Sequence, residues 1–318
     1  MLLELQNIKK SFGNTEVLKD FSLTLNEGDF FGFMGENGAG KTTLLKIAAC
    51  LLQPDSGRIV LDGIEALENP WEARNHIGYV PDNFGLYEAM TVREYMEFYS
   101  STYSLEGLKA RNIYMDILKR MKLDKRLNDY VDTLSKGMKQ RLCMGRAMIH
   151  NPDILILDEP FTGIDGAIRE DMIELCREMS RNGKIVLFSS HQFADMGRIC
   201  NKIGVLKDGK LQVCGTVDQI NAQIQLTRAI VIRLLDDNQK SADSEKMWKL
   251  LRNNPKVHSI SQQGGLFQVR AQLDETGEAD LLTAIMAQKI RVLSFARKDN
   301  DLEEIFEQVM SKKERKMV

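Results

Sequence analysis

The run Gly35-Glu36-Asn37-Gly38-Ala39-Gly40-Lys41-Thr42 limits what this chain can fold into more than any other feature. It reads G-x-x-x-x-G-K-T and lies between an apolar, strand-like stretch (Phe30 to Met34) and a helix-like one (Thr43 to Leu52). A strand, a glycine-rich turn and a helix in that order make a phosphate cradle. The glycines let backbone N–H groups turn inward around an anion, and the helix aims its positive N-terminus at the same point. Lys41 would set a point charge against the β- and γ-phosphates of a nucleotide, and the Thr42 hydroxyl would ligate Mg²⁺. Residues Gly35, Glu36, Asn37, Gly38, Ala39, Gly40, Lys41, Thr42 and Thr43 are therefore the candidate nucleotide loop.

A second half-site lies far downstream, where residues Asp153 to Pro160 read D-I-L-I-L-D-E-P. The unbroken apolar run Ile154 to Leu157 fits a strand buried on both faces of a parallel sheet. Asp158 and Glu159 then fall at its C-terminal edge, where open α/β sheets bind ligands. Asp158 would hold Mg²⁺, usually through water. Glu159 would act as general base on an attacking water, a role worth roughly 10²–10⁴ in rate.

Leu134-Ser135-Lys136-Gly137-Met138-Lys139-Gln140-Arg141 precedes a helix-like stretch through Ile149. This segment resembles the signature motif of ATP-binding cassette (ABC) ATPases, usually L-S-G-G-Q. Leu134, Ser135 and Gly137 match, and Lys136 and Met138 depart from it. The resemblance covers most of residues 1–220. Phe12 matches the aromatic that stacks on adenine. Ile77-Gly78-Tyr79-Val80-Pro81-Asp82 matches the loop that usually carries glutamine, with Asp82 in its place. Thr162-Gly163-Ile164-Asp165 is similar to the D-loop, and Ser189-Ser190-His191 to the switch-histidine segment. The resemblance implies that Glu159, His191 and Lys41 carry catalysis. It implies that Phe12, residues 35–43, Ser135, Gly137 and Asp165 bind ATP, and that Thr42, Asp82 and Asp158 hold Mg²⁺. It also implies that two copies close head to tail, Ser135 and Gly137 of each meeting the γ-phosphate held by the other.

The alternation of strands and helices predicts an α/β, P-loop NTPase fold. The resemblance makes this an ABC ATPase with a RecA-like core, an antiparallel β subdomain and a helical subdomain. The boundaries expected are 1–221 for the ATPase domain, with the helical part about 83–150, and 222–318 for a C-terminal α+β accessory domain. Helices are expected over Thr91 to Thr102, Leu108 to Met121, Asp124 to Val131 and Lys136 to His150. The C-terminal order β-α-β-β-α-β-α is a split βαβ, ferredoxin-like pattern, ending in a helix over Leu302 to Met310 and the charged run Lys312 to Lys316.

Composition narrows the function classes. The chain has 318 residues and a net charge of −2, so no global basic field argues for nucleic acid, and none is expected as a partner. No apolar stretch approaches the length of a transmembrane helix. The five cysteines are scattered and lack C-x-x-C spacing, which suits reduced, buried thiols. The signature variant, together with Asp301-Leu302-Glu303-Glu304-Ile305-Phe306, resembles the ATPases that serve ABC-2-type membrane permeases. That resemblance implies a cytoplasmic protein, peripheral on the inner face of the membrane through a permease on separate chains, and energising export. The alternative is a soluble ABC ATPase acting on ribosomes, nucleic acid or an assembly scaffold.

Overall fold

The computed structural model describes residues 1–83, 85–191, 196–216, 219–220, 228–236, 241–271 and 273–298. The chain divides into two compact units, Met1–Val217 and Asp218–Val318.

The first unit opens with two long strands, β1 (Leu2–Phe12) and β2 (Thr15–Asn26). Their apolar residues alternate: Leu3, Leu5 and Ile8 are buried on β1, and Leu18, Phe21, Leu23 and Leu25 on β2. One face of each strand therefore packs inward while the other meets water, as suits an antiparallel sheet. With β4 (Ser56–Leu61) and β5 (Ile64–Glu65) they form a four-stranded antiparallel sheet in the order β2-β1-β4-β5.

The central strands of the other sheet of this unit are buried on both faces. Its strands are β3 (Phe30–Met34), β6 (Ile77–Val80), β7 (Ile154–Leu157), β8 (Ile185–Ser190), β9 (Lys202–Lys207) and β10 (Lys210–Gly215). The order is β10-β9-β3-β8-β7-β6, with β10 antiparallel to β9 and the other pairings parallel. Every residue of β3 and of β7 is buried, which is why both read as unbroken apolar runs. The two sheets share one apolar core that includes Leu5, Phe21, Phe31, Phe33, Leu44, Ile156 and Leu187.

Helix α1 (Lys41–Ala48) follows β3, and the short α2 (Pro70–Asn75) precedes β6. Asn69 caps α2 by accepting from the Glu72 N–H, with Pro70 in the first turn. Between β6 and β7 stand α3 (Val92–Thr102), α4 (Gly107–Arg120) and α5 (Lys136–Ala147). Val92, Tyr95, Met96 and Ser100 form the buried face of α3, and Thr91 with Glu94 makes a capping box at its start. After β7 come α6 (Gly166–Arg181) and α7 (Met196–Ile199).

The helix expected over Asp124 to Val131 is not there. Two short 3-10 turns, Asp124–Arg126 and Val131–Thr133, stand in its place. The reason is a competing use of the backbone. The Asp129 and Leu127 carbonyls accept from the N–H groups of Val92 and Arg93 at 3.0 Å each, and the Val131 N–H donates to the Met90 carbonyl at 2.9 Å. The first two bonds satisfy donors that the first turn of α3 leaves free, and a continuous helix over 124–131 would claim the Leu127 carbonyl and the Val131 N–H for its own i→i−4 bond.

In the second unit, β11 (Arg228–Leu234), α8 (Ala242–Arg252), β12 (Val257–Gln263), β13 (Leu266–Ala271), α9 (Glu275–Ala287) and β14 (Val292–Lys298) follow in sequence. Their antiparallel sheet runs β12-β13-β11-β14, the first strand lying between the third and fourth as in a split βαβ. Ile230, Ile232, Met247, Leu251, Phe267, Val269, Leu281 and Ile285 make its core. The helix expected over Leu302 to Met310, with its run Asp301 to Phe306, and the charged run Lys312 to Lys316 lie outside the described residues.

Among the described residues no helix is long and apolar enough to cross a membrane. All five cysteines are free, four of them buried, and burial pushes the Cys176 thiol up to about 12. His76 pairs with Asp153 at 2.8 Å, and His150 stacks on Tyr103.

Candidate nucleotide site

Four segments leave the parallel sheet at one edge, the C-terminal ends of β3, β6, β7 and β8. Met34 lies in register with Ser190, Leu157 with Phe188, and Val80 with Leu157. The loop 35–40, Asp82, the Asp158-Glu159 pair and Ser189 to His191 therefore emerge side by side, at the edge where α/β sheets hold ligands.

The glycines of the first loop answer two different demands. Gly40 holds φ 103°, a left-handed backbone that glycine adopts without penalty. A Cβ on Gly35 would lie 2.6 Å from the Leu206 carbonyl oxygen, so the loop passes too close to β9 for any side chain. Helix α1 begins directly after Gly40, with no side-chain cap and no acidic residue in its first turn. Its positive end is left open to an anion.

Lys41 is 7% exposed, and its ammonium is tied back onto its own loop. Nζ donates to the Gly35 carbonyl at 2.7 Å and to the Glu36 carbonyl at 3.2 Å, and stands 3.8 Å from Glu159 Oε1. Burial lowers its pKa, and the charges of Glu159 and Asp158 act against that shift. The two carbonyls and the carboxylate are all electron-rich oxygens, the kind of partner that a phosphate would offer.

The acid pair is held tightly. Asp158 is 2% exposed and accepts from the Ser189 hydroxyl at 2.7 Å, while its own N–H donates to the Val80 carbonyl at 2.9 Å. Ser189 Oγ in turn accepts from the Glu159 N–H at 2.9 Å. Glu159 Oε2 accepts from the Thr162 hydroxyl at 3.0 Å and meets His191 Nδ1 at 2.9 Å. Glu159 has φ 48°, a left-handed conformation in a residue that is not glycine. Such a backbone costs of order 1–3 kcal/mol and persists only where its surroundings fix it.

Asp82 is exposed just beyond β6, the strand beside Asp158. Behind it the Tyr79 hydroxyl is buried without a partner among the described residues. Burial raises the Tyr79 pKa, and the charges of Asp158 and Asp82 push it the same way. Phe12 ends β1 with its ring 52% exposed and Lys10 Nζ 5.6 Å from the ring centre.

The other motif residues are arranged around two helix starts. Ser135 is the N-cap of α5, its hydroxyl accepting from the Met138 N–H at 3.4 Å. Asp165 is the N-cap of α6, accepting from the Ala167 N–H at 2.9 Å. Gly137 is buried, and a Cβ there would stand 2.8 Å from Ile168 Cδ1. Lys136 passes over Gly163, its Nζ 2.7 Å from where a Gly163 Cβ would be. The signature segment and the D-loop segment are therefore in direct contact within one chain.

Three groups around the acids carry no role in the sequence reading: Ser189, Thr162 and Gln140, whose amide nitrogen donates to the Pro160 carbonyl. Ser189 left a faint signal, because strand periodicity puts it on the same side as His191. Thr162 and Gln140 left none, since their partners are fixed only by the fold.

Comparison with known proteins gives a consistent result. The family model described as "ABC transporter" matches residues 18–162. The linearmycin resistance ATP-binding protein LnrL of Bacillus subtilis (strain 168) is 29% identical over 305 residues, spanning 96% of this chain and 97% of that protein. The Nod factor export ATP-binding protein I of Burkholderia orbicola (strain AU 1054) is 35% identical over 208 residues, spanning 65% and 68%. Among solved structures, the dimeric bacterial ABC transporter cassette MJ0796 matches with a TM-score of 0.63 and 28% identity, covering 68% of this chain and 98% of that one. The same cassette was also solved as a dimer in a post-hydrolysis state bound to ADP and Pi.

Proposed function

Because the chain belongs to the ATP-binding proteins of ABC transporters, we propose that it is the energising subunit of an ABC-2-type exporter, working as a head-to-tail pair of copies. It binds and hydrolyses ATP to drive a transporter. The observation that carries the residue assignment is the meeting of Lys41 and His191 on the Glu159 carboxylate, next to Asp158.

In this reading the β- and γ-phosphates take over the Lys41 ammonium from the Gly35 and Glu36 carbonyls. The open start of α1 and the backbone of residues 35–43 supply the remaining donors. Phe12 offers adenine an exposed ring face. Glu159 accepts the proton of the attacking water, and His191 orients the carboxylate through Oε2. Asp165 steadies the D-loop by capping α6.

The residues present also suit magnesium. Mg²⁺ keeps several waters and needs only one or two carboxylates besides phosphate. Asp158, bonded on one oxygen by Ser189, together with the exposed Thr42 and Asp82, meets that need. This matches the lack, among the described residues, of any cluster of three His, Cys, Asp or Glu ligands. Bound there, the ion would draw off charge developing on the phosphates.

The pairing of copies is supported by the dimeric cassette to which the chain is similar. One chain has one loop and one signature, so closure on two nucleotides needs a second cassette. Ser135→Arg should cut hydrolysis about 10²- to 10³-fold, the loss seen when one preorganised donor to developing charge is removed. The ATP affinity of the monomer should stay near the wild-type value. Equilibrium binding of a fluorescent ATP analogue checks this, and a large affinity loss would mean that the signature serves its own chain's site.

Export is supported by the names of the relatives, one a resistance protein and one an export protein. A face for a permease partner is available on the helical segment, where the rings of Tyr87 and Phe98 are exposed and pack edge to face at 5.5 Å. Such an arrangement would hold the protein at the inner face of the cell membrane. Purification of the tagged chain from detergent-solubilised membranes should bring with it a polytopic membrane protein. Recovery with ribosomes or nucleic acid instead would overturn the transport assignment.

A further inference from the structure

The backbone of Glu159 is unfavourable on two counts. Its φ of 48° is left-handed, and the following residue is Pro160, whose ring disfavours helical backbone in the residue before it. A conformation of this kind needs restraint from both sides. On the N-terminal side the Glu159 N–H is bonded to Ser189 Oγ at 2.9 Å. On the C-terminal side the restraint is the Gln140 amide, which donates to the Pro160 carbonyl.

Gln140 is an odd residue to find where it is. It is 1% exposed on α5, a helix on which Leu142, Cys143 and Met144 are also buried. Its Oε1 is buried and has no partner among the described residues. A buried acceptor without a donor penalises the fold, and an apolar side chain of the same shape would avoid that penalty. Packing therefore gives no reason for an amide at this position. Among the described residues its side-chain bond goes to the Pro160 carbonyl, immediately after the proposed base.

We infer that Gln140 is a positioning residue for ATP hydrolysis: by holding the Pro160 carbonyl, it keeps the strained Glu159 backbone, and so the Glu159 carboxylate, aimed at the attacking water. Gln140 acts through the Pro160 carbonyl. It acts from the helix whose N-cap is Ser135, so the base of each chain is braced by its own signature helix. This deepens the reading above and rests on Glu159 being the base.

The test is Gln140→Met, which keeps the length of the side chain and removes its donor. Hydrolysis at saturating ATP should fall about 10- to 100-fold, the scale of a small misplacement of a catalytic group. The ATP dissociation constant should be unchanged, and Tm should be equal to or above that of the wild type. A structural residue would behave differently, with Tm and activity falling together. If both Gln140→Met and Gln140→Leu fail to fold or lose Tm in step with activity, the inference is overturned.

A second comparison separates this inference from the assignment of the base. In a Glu159→Gln background, adding Gln140→Met should leave the residual rate unchanged, because there is no carboxylate left to aim. An additive loss would show that Gln140 acts elsewhere and would overturn the inference while leaving Glu159 in place. Should Glu159→Gln alone hydrolyse ATP at the normal rate, the base assignment falls first, and the positioning role with it. If Glu159→Gln is inactive but Gln140→Met turns over normally, only the positioning role falls.

Discussion

Glu159→Gln should lower ATP hydrolysis by about 10²- to 10⁴-fold, the range for loss of a positioned general base, while ATP binding is kept. The amide has the shape of the carboxylate it replaces and can still accept from the Thr162 hydroxyl, which lies 3.0 Å from Glu159 Oε2. The backbone bond from the residue-159 N–H to Ser189 is untouched. What disappears is the negative charge, and with it the capacity to take a proton from water. Lys41 also loses an oppositely charged neighbour at 3.8 Å, so its ammonium is freer to turn to a phosphate. Affinity should therefore hold or rise.

The second consequence of that variant concerns assembly. If bound ATP joins two copies and hydrolysis parts them, a form that binds without turning over must accumulate as a pair. Light scattering after gel filtration, with and without saturating Mg·ATP, measures this directly. A protein that remained monomeric with nucleotide bound would argue against the head-to-tail arrangement. One that paired but hydrolysed normally would place the base elsewhere.

The parts of the site that could be read from the sequence are those in which chemistry is local. The loop 35–42 carries its glycines, lysine and threonine within eight residues, and Asp158-Glu159 follows its buried strand without interruption. The C-terminal order of elements was legible from alternation, but of the sheet neighbours only β12 and β13 are joined by a short turn. Three kinds of information were not local. The 3-10 turns at 124–133 depend on donors at the start of α3, more than thirty residues earlier. The braces on Glu159 come from Ser189 and Gln140, which the fold brings in from different elements. Its left-handed backbone has no sequence mark at all. In contrast, α2 did carry a signal that the pattern reading passed over: Asn69-Pro70-Trp71-Glu72 pairs a cap residue with an acid three positions on.

Lys41→Ala removes the charge around which the loop is built, and the expected loss is in binding itself. The ammonium is almost wholly buried, and every group it touches is an oxygen. In the proposed nucleotide complex those contacts would pass to phosphate, and truncation would leave buried phosphate charge without its partner. Removing one member of a buried, hydrogen-bonded charge pair costs about 2–5 kcal/mol. That corresponds to an ATP dissociation constant raised by roughly 30- to several thousand-fold. The unliganded fold should suffer less, because a neutral carbonyl left without its donor costs less than an unpaired buried charge. Isothermal titration of ATP into the variant, alongside its thermal unfolding, distinguishes the two effects. Unchanged affinity and turnover would mean that the phosphates are not held at residues 35–43, and the assignment of Asp158 and Glu159 would fall with the loop.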